Sequence, residues 1–171
     1  FGGEDALKAA SKRIDSKDKI VSDAALRAVT NWPTAEACDT LLKIIRHTNN
    51  TTHRILAMRA YFRLAPLSDD PAAALATIRK RVKTPADKQM MLSAIGSSPS
   101  TDSLTMAVSM LKDPDVTSES ALAVSAIAQQ LATKSPTAAL DACEKVKATN
   151  PPKNILAKID AVEKLAKRKP R

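Results

Sequence analysis

The chain has 171 residues and carries 27 Lys and Arg against 18 Asp and Glu, a net charge of +9, with 44% hydrophobic but only 2% aromatic residues. A core of stacked aromatic rings is excluded, and Ala, Leu, Ile, Val and Met have to supply the interior. No stretch approaches the ~20 apolar residues of a membrane-spanning helix.

Taken in chain order, apolar residues recur at helical spacing between breakers. The spacing predicts helices over 4–14 and 18–31, then 34–47 and 52–65, then 70–83 and 85–97, then 101–112 and 117–133, and finally 136–148 and 152–168. Thr34, Asp70, Thr84, Ser100 and Ser135 stand where an N-cap oxygen is wanted, and Pro71, Pro85 and Pro136 follow three of them at a position where proline loses no helical hydrogen bond. Asn49-Asn50, Asp113-Pro114-Asp115 and Asn150-Pro151-Pro152 read as turns. Gly96 reads as a left-handed residue closing the sixth helix, and the eighth helix is expected to be the longest and most apolar. No alternating pattern argues for a strand.

A short pattern of apolar, polar, Ala, apolar recurs in the second helix of each pair. Its copies are Leu26-Arg27-Ala28-Val29, Met58-Arg59-Ala60-Tyr61, Leu92-Ser93-Ala94-Ile95, Val124-Ser125-Ala126-Ile127 and Ile159-Asp160-Ala161-Val162, with the alanines 32, 34, 32 and 35 residues apart. Such a period is the mark of a solenoid whose units bury their apolar faces by stacking. The five alanines are expected to be buried at helix contacts and the residue before each to be polar and outward. The reading is an all-α fold of about five helical hairpins over 1–171, one domain. The chain opens on Phe1-Gly2-Gly3 without an initiator Met, and it is expected to be part of a longer or processed polypeptide.

The second helices resemble HEAT repeats. His53-Arg54-Ile55-Leu56-Ala57-Met58-Arg59-Ala60-Tyr61 is the clearest copy; Ser22, Lys88 and Ser120 stand where the family places the arginine that Arg54 supplies. The run from Ala25 to Pro33, with Leu56 to Leu64, is similar to HEAT-like regions of large exported multidomain proteins of Planctomycetes, Verrucomicrobia and Bacteroidetes. The resemblance implies a right-handed α-α superhelix of the HEAT/ARM kind, a non-catalytic module, and a periplasmic or extracellular address.

Arg27 and Arg59 share one repeat position and Arg63 follows Arg59 by a turn. If second helices line the concave face, as in HEAT-like solenoids, the three form a basic strip able to fork onto carboxylates or phosphates. The competing reading is local: Asp23 precedes Arg27 by four residues, an attractive helical pair. The strip stops at Ser93, Ser125 and Asp160, the equivalent residues. Trp32 reads as a plug between repeats and Tyr61 as core with its hydroxyl at a polar rim. Cys38 and Cys143 fall three repeats apart and read as small buried residues, with no metal or redox spacing around them. His47 and His53 flank a turn, and their rings need not converge. The tail from 151 to 171 holds seven basic residues, including Lys169 and Arg171, against Asp160 and Glu163, and reads as a solvated end.

No nucleophile–base set, phosphate loop, cofactor motif or metal motif is read. The function expected is a helical-repeat scaffold that binds a protein or neighbouring domains of its own polypeptide. The alternative is a nucleic-acid binder like the HEAT-like DNA glycosylases, with Arg27, Arg59 and Arg63 in a basic groove.

Overall fold

The computed structural model describes residues 3–168, so Phe1, Gly2, Lys169 and Arg171 lie outside the described residues. Among these residues there are ten α-helices and no strand: α1 Glu4–Arg13, α2 Lys19–Thr30, α3 Cys38–His47, α4 Thr51–Leu64, α5 Pro71–Ile78, α6 Pro85–Gly96, α7 Thr101–Ser109, α8 Thr117–Leu131, α9 Pro136–Lys147 and α10 Lys153–Ala166. The fold is all-α, as the periodicity requires, and no described helix is long and apolar enough to cross a membrane. Short 3-10 turns, Ala35–Ala37, Ala65–Leu67 and Arg79–Arg81, extend α3, α4 and α5.

Two compact units divide the chain between Val82 and Lys83, so the boundary falls inside the third sequence repeat. In unit 1, α1 pairs with α2 and α3 with α4; in unit 2, α7 pairs with α8 and α9 with α10. Within each unit the repeat is written in polar contacts about one period apart. In unit 1, Ser11 Oγ meets Thr40 Oγ1, His53 Nε2 meets Asp23 and Arg63 meets the Thr30 and Trp32 carbonyls. In unit 2, Gln89 Nε2 donates to Glu119 Oε1. Helices at matching repeat positions therefore lie side by side.

The caps follow the sequence in part. Thr84 and Asp87 form a reciprocal capping box, and Asp70 and Ser100 accept from the N–H groups of Ala73 and Ser103. Thr34 instead donates to Glu36, and Ser135 makes no cap bond. Asp18 and Asn50, the latter read as part of a turn, cap α2 and α4. Gly96 stays helical and Ser97 ends α6 in a right-handed conformation, its N–H returning to Ser93 and Ala94; the left-handed residue is Asn150, at φ 51°.

The repeat pattern needs a correction. The outer apolar residues are buried in every copy, from Leu26 and Val29 to Ile159 and Val162. Of the alanines only Ala60 and Ala94 are buried; Ala28, Ala126 and Ala161 are exposed, and Ser125 is buried at 2% exposure. Apolar residues three apart define one helical stripe, and the alanine between them sits well round the cylinder from it. It is covered only where a neighbouring helix reaches that side of the cylinder, as at Ala60 and Ala94; having several partners is not enough, since α2, α8 and α10 also meet two or more helices. In α8 the covered side is the one carrying Ser120, Ala121, Val124, Ser125 and Ala128.

Buried serines replace a further apolar contact. Ser22 donates to the Ile14 carbonyl and Ser120 to the Ala107 carbonyl, 2.6 Å in the second case. Both stand at the position where the HEAT pattern has arginine, and each ties a second helix to the end or body of the first helix of its own hairpin. Lys88, at the same position, bridges Asp113 at 2.6 Å and Asp115 at 2.8 Å, binding α6 to the turn between α7 and α8. Its hydrogen bond to Asp113 raises the Lys88 pKa above its ordinary value and lowers that of Asp113. No buried side-chain nitrogen or oxygen among the described residues lacks a partner.

Candidate functional site

Helix α2 begins at Lys19 because Asp18 accepts from the Ile20 and Val21 N–H groups, and α4 begins at Thr51 because Asn50 accepts from Thr52 and His53. Both helices bury one side in the core of unit 1 and contact one another. That leaves an outward face on which α2 presents Lys19, Asp23 and Arg27, and α4 presents Thr52, Arg59 and Arg63. Thr52, Leu56, Arg59 and Arg63 are spaced four, three and four residues apart and so share one stripe of α4.

The structure separates the three arginines by role. Arg27 and Arg59 are exposed, and neither has a carboxylate partner among the described residues. The expected Asp23–Arg27 pair does not form: Asp23 Oδ1 lies 3.3 Å from His53 Nε2 on the neighbouring helix. Arg63 is committed elsewhere. Its Nη2 donates to the Thr30 carbonyl at 3.0 Å and the Trp32 carbonyl at 2.9 Å, satisfying acceptors at the C-terminal end of α2. Trp32 itself is buried.

Between α2 and the N-terminal half of α4 lies a depression of about 220 Å³, lined among others by Lys19, Asp23, Leu26, Arg27, His53 and Leu56. His53 also lines a second depression of about 360 Å³, shared with Asp15, Thr40, Lys43 and His47. The two histidines thus border one hollow, and His53 has a carboxylate partner that no local spacing revealed. The clue was the 30-residue separation of Asp23 and His53, close to one repeat. Among the described residues no group of three or more His, Cys, Asp or Glu is placed to hold a metal ion.

The remaining candidates serve the interior. Tyr61 is buried and donates to the Ala74 carbonyl at 2.7 Å, with Phe62 edge-on at 6.3 Å. Burial pushes its pKa up to about 12. Cys143 is buried and Cys38 half-buried; both are free thiols, and burial raises each to about 11, so both are protonated at neutral pH. In unit 2 a mostly apolar hollow of about 630 Å³ runs along Val108, Leu111 and Ala148, with Lys112 and Lys145 among its walls.

Compared with protein-family models, curated proteins and solved structures, the chain matches none.

Proposed function

We propose that this chain is a non-catalytic helical-repeat module, HEAT-like in kind, that docks a protein or a neighbouring domain of its own polypeptide on the α2–α4 face. The observation that carries the reading is the pair Arg27 and Arg59, exposed on adjacent helices and left without carboxylates while Asp23 is held by His53. A guanidinium offers a planar fork of donors to an incoming carboxylate, and arginine is enriched where protein interfaces concentrate their binding energy. The same repeat position carries Ser93, Ser125 and Asp160 further on, so the basic character is local to unit 1. A duplex-binding groove calls for more, since affinity there rises with the number of phosphates neutralised.

The test is a pair of titrations on the full chain: a labelled Glu-rich peptide and a labelled DNA duplex, each at several salt concentrations. The expected result is peptide binding that Arg27→Ala with Arg59→Ala abolishes while helicity is kept. Duplex binding should be weak, no tighter than the ~10⁻⁴–10⁻⁶ M of non-specific association. It should disappear in a chain ending at Ala166 and persist in the double variant. Tight duplex binding that survives removal of the tail and collapses in the double variant would overturn the docking reading in favour of the nucleic-acid one.

A further inference from the structure

We infer that the hollow between α2 and α4 receives a single carboxylate side chain of an acidic peptide segment, and that protonation of His53 strengthens this binding. The inference rests on the docking reading above and adds to it the chemistry of the bound group and a proton linkage. The backbone N–H groups bordering the hollow are already used by the Asp18 and Asn50 side chains, so an anion there is met by side chains. Lys19 and Arg27, both on α2, are cations without carboxylate partners, and Leu26 and Leu56 supply apolar wall for the methylenes of a glutamate. Asp23 stands in the same wall. With His53 neutral, the hollow has a single net positive charge, which suits a monoanionic carboxylate and disfavours a phosphate dianion. Arg59, on the α4 stripe one turn beyond Leu56 and ~5 Å along the axis, is placed for a second acid of the same segment.

The proton linkage follows from the His53–Asp23 contact at 3.3 Å. Neutral His53 donates Nε2–H to Asp23 but leaves its charge in place, where it repels an incoming carboxylate. Protonated His53 cancels that charge and adds a second net positive unit to the hollow. Histidine changes charge within about pH 5–8, where a peptide glutamate stays ionised. Besides Asp23, the charged or titratable groups lining the two hollows that His53 borders are Lys19 and Arg27 from α2, Lys43 and His47 from α3, and Asp15 from the α1–α2 connection. Of these, His47 is the other imidazole, and it borders only the second hollow.

The experiment measures anisotropy of a fluorescein-labelled Glu-rich octapeptide with the full chain at pH 8.0 and pH 5.5, at constant ionic strength. Removing one like charge at hydrogen-bonding range of a half-exposed site corresponds to roughly fivefold in affinity. Wild type is expected to bind about fivefold tighter at pH 5.5. Asp23→Asn should bring the pH 8.0 affinity up to the wild-type acid value, with a further gain at pH 5.5 as His53 still acquires its charge. His53→Gln should flatten it at the weaker level, and His47→Gln should keep the wild-type profile. The Asp23→Asn gain cannot come from misfolding. Equal wild-type affinity at the two pH values, or a profile flattened by His47→Gln and kept by His53→Gln, would overturn the linkage while leaving docking intact. Absence of peptide binding at both pH values would overturn both readings. Displacement of the peptide by inorganic phosphate more readily than by free glutamate would overturn the carboxylate assignment.

Discussion

Unit 1 holds eight of the ten arginines, both histidines and all four aromatic residues, while unit 2 carries nearly as many cations, almost all of them lysine. In unit 2 several of these lysines are held in ion pairs, two of them between helices or a helix and a turn. Lys88 clasps Asp113 and Asp115, Lys147 joins Asp160 and Glu163 on α10, and Lys145 pairs with Asp141 within α9. In unit 1 the acidic neighbour that would neutralise Arg27 is taken by His53, and Arg59 faces outward. One kind of hairpin thus supports two uses of positive charge: in unit 2 it fastens helices, and in unit 1 it is left facing solvent on α2 and α4.

Six substitutions test this account, from the largest effect to the smallest. Ser125→Leu places a larger side chain in a covered contact of α8 and removes the Ser125 hydroxyl's bond to the Ala121 carbonyl. Overpacking of this kind costs roughly 1–3 kcal/mol, whereas Ala126→Leu, on the exposed side, should stay within about 0.5 kcal/mol. Urea unfolding of the two variants decides it, and equal losses would refute the packing assigned to α8. Arg63→Ala should lose about 1–2 kcal/mol, since two carbonyls at the end of α2 lose a charged donor. Arg27→Ala and Arg59→Ala should each change stability by no more than about 0.5 kcal/mol. If all three arginines cost the same, the division into one structural and two outward residues fails.

Lys88→Met gives the pH-dependent member of the series. The Asp113 pKa is lowered by its hydrogen bond with Lys88, so the stabilisation is present above the ordinary carboxylate range and lost as pH falls through the folded value. The Lys88 pKa is raised, so the lysine's share is present below the ordinary lysine value and lost as pH rises through the folded one. Thermal melts should therefore show the variant below wild type at pH 7, with the gap closing toward pH 3. A gap that is constant with pH would mean that Lys88 acts through its alkyl chain alone.

The ten helices were legible because proline, cap residues and apolar spacing are local signals, though several limits were not: α3 starts later, and α5 and α7 end earlier, than the spacing suggested. The burial of Leu26, Met58, Leu92, Val124 and Ile159 was legible for the same reason. The alanines misled because sequence gives the apolar stripe of each helix, whereas burial at Ala28 or Ala126 depends on which further sides of the helix its partners cover, and only tertiary packing sets that. Gly96 misled likewise, since a glycine before Ser97-Ser98-Pro99 suits a left-handed end but does not compel one. At the candidate site, Arg27, Arg59 and Arg63 were rightly placed on second helices. Their partners were hidden because Asp23–His53 and Arg63–Trp32 join residues a full repeat apart, and i,i+4 reasoning sees only the helix it is applied to.

The claim that unit 1 docks partners through α2 and α4 is tested most directly by backbone amide NMR of the full chain titrated with the Glu-rich peptide. The account predicts shift changes concentrated in 18–32 and 50–63, with Lys19, Arg27, His53 and Arg59 among the largest, and residues 83–168 nearly unmoved. Changes centred on 83–168, or spread over exposed lysines without regard to helix, would contradict it.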